Sequence, residues 1–157
     1  MKKLLTLLVV FIGLTSNAQE QSLNVSGLYS FKGVSNEFVD VDFTVASLEL
    51  EFNHTLDYGL ILGFGAGVEF TELNFSKPDF IAFGTVGYNL ADFFMVRVQM
   101  GTIAIDASNA FIYLNGDLLL TKNLYLTSGF TFNRITVYEE SITFLGFRGG
   151  LRLNIKL

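Results

Sequence analysis

The stretch Leu60-Ile61-Leu62-Gly63-Phe64-Gly65-Ala66-Gly67-Val68-Glu69-Phe70 places apolar side chains at Leu60, Leu62, Phe64, Ala66, Val68 and Phe70, with Gly63, Gly65, Gly67 and Glu69 between them. Successive side chains of a strand point to opposite faces, so this segment reads as a ribbon with one greasy face and one glycine or polar face. The end of the chain repeats the pattern over Leu145, Phe147, Gly149, Leu151, Leu153, Ile155 and Leu157. Between these two segments the same alternation recurs, and no long apolar helix interrupts it.

Working outward, the alternation predicts eight strands, near 22–32, 39–53, 59–71, 80–90, 93–103, 110–120, 124–135 and 142–157. The second strand changes phase. Val39, Val41, Phe43 and Val45 are odd, whereas Leu48, Leu50 and Phe52 are even, which predicts a β-bulge around Ala46-Ser47. Tight connections are expected around His54–Asp57, at Ala91-Asp92 and at Thr121–Asn123. Longer, more polar ones fall at 33–38, 72–79, 104–109 and 136–141. Short and long connections therefore alternate. The fold class expected is all-β, an eight-stranded antiparallel up-and-down barrel. With the greasy face outward, it is a transmembrane barrel with short turns on the periplasmic side.

The N-terminus supports export. Lys2 and Lys3 precede the apolar run Leu4 to Leu14, and Ser16-Asn17-Ala18 offers small residues for cleavage. Residues 1–18 are read as a signal peptide and 19–157 as one barrel domain. Without the two signal-peptide lysines, 8 basic residues stand against 15 acidic ones. An acidic chain with no basic run has no electrostatic footprint for nucleic acid. The sequence contains no Cys, so it carries neither a disulfide framework nor a thiolate metal site.

Turning the greasy face to lipid assigns the other face to the interior. Glu49, Glu51, Glu69 and Asp117 then face Arg97, Arg148, Arg152 and Lys156. Charges on such a wall must be paired or hydrated, because isolated buried charge is very costly. The interior of an eight-stranded barrel is just wide enough for side chains to fill it. These eight residues are expected to form a salt-bridged polar network. Gly59, Gly63, Gly65, Gly67, Gly87, Gly101, Gly129 and Gly150 point inward and leave room for Arg and aromatic side chains. Ile81 and Phe83 share that inner face, which places an apolar plug near the loop end. Tyr29, Phe31, Phe70, Phe80, Phe111 and Phe132 read as an aromatic belt near the loops, and Phe52, Tyr58, Tyr88, Phe94 and Tyr125 as one near the turns.

No motif carries chemistry. Gly63-x-Gly65-x-Gly67 has Val68 where a dinucleotide fingerprint needs its third Gly. His54 is the sole histidine. It has no second His for a metal site and no converging Ser-Asp pair for a triad. Glu139-Glu140, Asp40 and Asp42 read as solvated rim. Lys32, Lys77 and Arg134 lie near the outer rim, within reach of lipopolysaccharide phosphates. No catalytic residue, metal site or cofactor is expected.

On its turn pieces Tyr88-Asn89-Leu90-Ala91-Asp92 and Leu120-Thr121-Lys122-Asn123-Leu124-Tyr125-Leu126, and on its alternating last strand, the chain resembles the small OmpA/OmpX-type outer-membrane β-barrels of Gram-negative bacteria. The resemblance implies a protein of the bacterial outer membrane, in a group whose members serve as membrane anchors, adhesion or stress-related surface proteins and sometimes as small pores or lipid enzymes; with no catalytic motif in this chain, a non-enzymatic role is expected. Its partners would be outer-membrane lipid, lipopolysaccharide and, during insertion, the assembly machinery, and the protein would be a monomer. One departure is the final residue, Leu157, where the family usually ends in an aromatic. Three functions remain open: a structural or surface-interaction barrel with a closed interior, a narrow pore for small solutes, and a soluble lipocalin-like barrel around an apolar ligand. The last needs the greasy face inward and Glu49, Glu69, Arg97, Arg148 and Arg152 outside.

Overall fold

The computed structural model describes residues 18–35, 40–71, 78–103, 109–137 and 140–157. The expected signal peptide up to Asn17, the rim residue Lys77 and the acid Glu139 lie outside the described residues. Eight strands follow one another: β1 (Ala18–Ser35), β2 (Asp40–Leu56), β3 (Leu60–Thr71), β4 (Asp79–Ala91), β5 (Phe94–Ile103), β6 (Ala110–Thr121), β7 (Leu124–Val137) and β8 (Glu140–Lys156). Each pairs antiparallel with its sequence neighbours, and β1 pairs with β8 from Ser22↔Lys156 to Gly33↔Leu145, closing the barrel. Closure leaves no strand edge unpaired, which an open sheet in a hydrocarbon environment could not achieve.

Several strands run further than the apolar alternation does. β1 and β2 pair as far as Ser35↔Asp40, and β7 and β8 as far as Val137↔Glu140. Backbone pairing continues as long as a partner strand is alongside, whereas the greasy-polar contrast fades once the side chains leave the apolar band. The first tight turn also lies later than expected, as a single 3-10 turn at Asp57–Gly59. Tyr58 (φ 73°) and Gly59 (φ 80°) are both left-handed. Two such residues in succession suit the tight turns of hairpins, but an aromatic there gives little sequence signal.

One side-chain parity holds throughout. Inward positions are even in β1 and β8 and odd in β2 to β7. The bulge expected at Ala46-Ser47 is absent: β2 keeps register with β1 from Glu20↔Thr55 to Ser35↔Asp40, and with β3 from Val45↔Thr71 to Thr55↔Ile61. Val45 therefore points inward, at 1% exposure. The change of hydrophobic phase reflects a change in the lining of the lumen. Near the turns, odd β2 positions carry Glu49 and Glu51; nearer the loops they carry the buried Val45, and an apolar section of the lumen lies on other strands.

That apolar section consists of Ile81, Phe83, Ile103, Phe111 and Tyr113 on β4, β5 and β6. Phe111, expected in an outer aromatic belt, is a plug residue at 2% exposure and stacks on Tyr113 with ring centroids 4.2 Å apart. Inward glycines make space for this filling. A Cβ on Gly65 would meet the Phe83 ring at 2.5 Å, and one on Gly87 would meet Cγ of Arg97 at 2.8 Å. A Cβ on Gly101 would meet Phe111 and Phe83 at 2.8 Å each. On the outer face, a Cβ on Gly27 would touch only Leu48, at 3.8 Å.

Overpacking a filled interior costs about 1–3 kcal/mol. Gly101→Val is therefore expected to lower unfolding stability by that amount. Gly27→Val should change it by less than about 0.5 kcal/mol. Urea titration of the detergent-refolded chain, followed by circular dichroism, measures both.

Candidate functional site

The inner wall is where this barrel concentrates chemistry. Its buried polar residues are tied across the lumen in two tiers. In the tier nearer the turns, Asp117 on β6 is the hub. It accepts hydrogen bonds from Nε of Arg97, from Nη2 of Arg97 at 3.2 Å, from Nη1 of Arg152 at 3.2 Å and from the Thr127 hydroxyl. Arg97 also donates through Nη1 to Glu51 at 2.6 Å. All four charged groups are 1% exposed or less. Gly87, paired with Arg97 across β4 and β5, has no side chain to obstruct the guanidinium stem.

The second tier lies nearer the loops. Arg148 donates to Glu49, and its guanidinium carbon sits 4.0 Å above the Tyr113 ring. Gln99 donates to Glu49 at 3.4 Å and accepts from Asn115 at 2.8 Å. Tyr113 on β6 reaches across the lumen and donates to Glu69 on β3 at 2.6 Å, while Lys32 on β1 donates to the other oxygen of Glu69 at 3.4 Å. Charge-assisted bonds of this kind are the strong class of hydrogen bond, and a filled lumen gives each charge a fixed partner.

Of the eight residues expected in the network, seven are brought together: Glu49, Glu51, Glu69, Arg97, Asp117, Arg148 and Arg152. Lys156 is not. Its parity is inward, but it lies where β8 runs out of the turn-end mouth, and it pairs with Glu20 at 3.0 Å with most of its side chain exposed. The fourth interior base is Lys32, expected at the outer rim but only 4% exposed inside. Its even parity with Ser22, Asn24, Ser26 and Ser30 was the available signal. Tyr113 was equally readable from its odd parity with Asn115 and Asp117. His54, expected in a turn, is buried within β2, its ring edge-on to Phe52 at 4.7 Å. Tyr125, expected in a belt, is half-buried with Arg152 5.5 Å from its ring centre.

The outer face is the reverse. Phe31, Leu48, Leu50, Phe80, Leu118, Phe130, Phe147 and Leu151 are all at least 40% exposed. Among outward strand residues whose side chains are described, charge occurs only at Asp42 and Arg134, both close to the loop end.

No protein-family model matches this chain, and no curated protein matches it in sequence. Its fold is similar to that of a de novo designed transmembrane β-barrel, at 12% identity and a TM-score of 0.56, over 85% of this chain and 95% of that one. It is also similar to Neisserial surface protein A, at 9% identity and a TM-score of 0.50, over 86% of this chain and 97% of that one. At these identities the likeness concerns the closed eight-stranded barrel itself.

Removing one member of a buried ion pair leaves its partner's charge uncompensated, at a cost of about 3–5 kcal/mol. Arg97→Met strands Glu51 and leaves Asp117 with only Arg152 and Thr127 as donors, and it is expected to lose stability on that scale. Lys156→Met, at the wet rim, should shift it by less than about 0.5 kcal/mol. Guanidinium unfolding midpoints of the two variants in one detergent provide the comparison.

Proposed function

We propose that this chain is an integral protein of the bacterial outer membrane, non-enzymatic, with a structural or surface-interaction role and a closed, ion-paired interior. One observation carries the reading: burial is inverted. Charged and amide side chains fill the inside, whereas Leu, Phe, Val and Ile cover the outside. In water an outer surface of that kind would drive association, and in hydrocarbon it is the favoured arrangement. The signal-like N-terminus supports export, and the membrane barrels of similar fold support the same setting. Lipid is then the principal partner, and the exposed Arg134 near the loop end supports contact with the phosphate of an outer-leaflet lipid.

The soluble lipocalin-like reading requires Glu49, Glu69, Arg97, Arg148 and Arg152 on the outside, and all five are buried within. The pore reading has the cross-lumen filling against it: Tyr113 bonded to Glu69 and the plug around Phe83 occupy the path.

The detergent-refolded chain should run faster unboiled than boiled in electrophoresis and should stay with membranes through carbonate washing. Release by carbonate alone would reject the membrane reading. In planar bilayers the protein should give no conductance steps above background. Discrete steps would replace the closed interior with the pore.

A further inference from the structure

On the outer face, where β1 closes on β8, the wall carries a groove of about 750 Å³ near the loop end. The volume falls within the range of small-molecule pockets, about 300–1,000 Å³. Gly33 lies at its centre, paired with Leu145 of β8 on one side and with Asp42 of β2 on the other. Its parity is outward, so the missing side chain leaves a gap in the apolar surface. Phe31, Phe132, Leu145 and Phe147 stand around that gap, each at least 44% exposed. Other rings brace the aromatic walls. Phe147 lies 4.8 Å from Phe130, and Phe31 lies 5.3 Å from Tyr29, centroid to centroid. The groove is therefore preformed and accessible from the lipid side.

Its chemistry is not uniformly apolar. The β2 edge carries the exposed carboxylate of Asp42, which has no ion-pair partner among the described residues. A carboxylate beside aromatic rings selects for an ammonium. The N–H groups donate charge-assisted hydrogen bonds to the acid, and the positive charge is attracted to the ring faces. A hydrocarbon chain suits the groove itself. Within a membrane, the molecule that joins these two parts is an amine-headed phospholipid. In an ethanolamine head group the ammonium sits on a two-carbon arm beyond the phosphate. It can turn to Asp42 while the phosphate stays in water.

We propose that this groove seats one chain of an ethanolamine phospholipid, with the lipid's ammonium on Asp42. The proposal rests on the membrane reading and goes beyond it in naming one lipid class at one place on the wall. Release of the chain by carbonate would reject both. A chain that refolds in micelles yet keeps no such lipid would reject this proposal alone.

The test refolds the full chain in detergent with equal amounts of dimyristoyl phosphatidylethanolamine, phosphatidylcholine and phosphatidylglycerol, and native mass spectrometry counts the lipids retained. Phosphatidylethanolamine should be kept in preference. Phosphatidylcholine should follow, because its quaternary ammonium has no N–H to donate, and phosphatidylglycerol should be kept least. Asp42→Asn should lower phosphatidylethanolamine retention about fivefold. Gly33→Leu fills the gap but keeps the carboxylate, and it should lower retention as well. Asp92→Asn, which removes a carboxylate at the turn end, should leave it unchanged. Equal retention of the three lipids would mean that the groove holds only ordinary surrounding lipid and would overturn the proposal. So would a preference for phosphatidylglycerol, or a preference for phosphatidylethanolamine that survives Asp42→Asn.

Discussion

The carboxylate of Asp117 is the anchor on which the interior depends. Donors from β5, β7 and β8 converge on it, and Arg97 carries the connection on to Glu51 of β2. Five of the eight strands are thereby tied through one buried acid. The arrangement is demanding, because a charge removed from water loses several kcal/mol of solvation unless its partners are well placed. The inward glycines belong to the same constraint. A guanidinium stem can lean along the inner wall only where the adjacent strand presents no side chain, as Gly87 does for Arg97.

The lumen is built in sections, and their order bears on function. From turns to loops it passes from a polar vestibule through two ion-paired tiers to an apolar cap. The cap and tiers share Tyr113, which stacks on Phe111, lies beneath Arg148 and bonds Glu69. A single aromatic side chain thus joins the two kinds of packing. Among the described residues, four buried acids and four buried bases balance one another, two of each in either tier.

The barrel was legible in the sequence because period-two alternation is the direct imprint of a surface with two environments. The interior residues were legible by the same parity, which located Glu49, Arg97, Asp117 and Arg152 without any motif. Parity is blind to depth, however. It could not tell that Lys156 lies past the mouth or that Lys32 lies well inside it. It also misread β2, where a change in the lining from Glu to Val imitates a change of face. The same blindness placed Phe111 in a belt. The left-handed Tyr58 left no trace, since nothing in its chemistry announces a positive φ.

The seam between β1 and β8 joins residues that are furthest apart in the chain, such as Ser22 and Lys156. Every other strand pair is local and can zip from a neighbouring hairpin, so this contact carries the largest loop-closure entropy and is the natural last step of assembly. Glycine recurs along its length, in the pairs Gly27↔Leu151, Leu28↔Gly150, Tyr29↔Gly149, Lys32↔Gly146 and Gly33↔Leu145. Such a seam is thin and offers little side-chain obstruction to two strands sliding into register. It also forgoes the cross-strand side-chain pairs that stabilise a ladder. The place where the cylinder shuts is therefore where the chain meets its highest entropic toll, a clasp whose difficulty lies in bringing the two ends together rather than in fitting them.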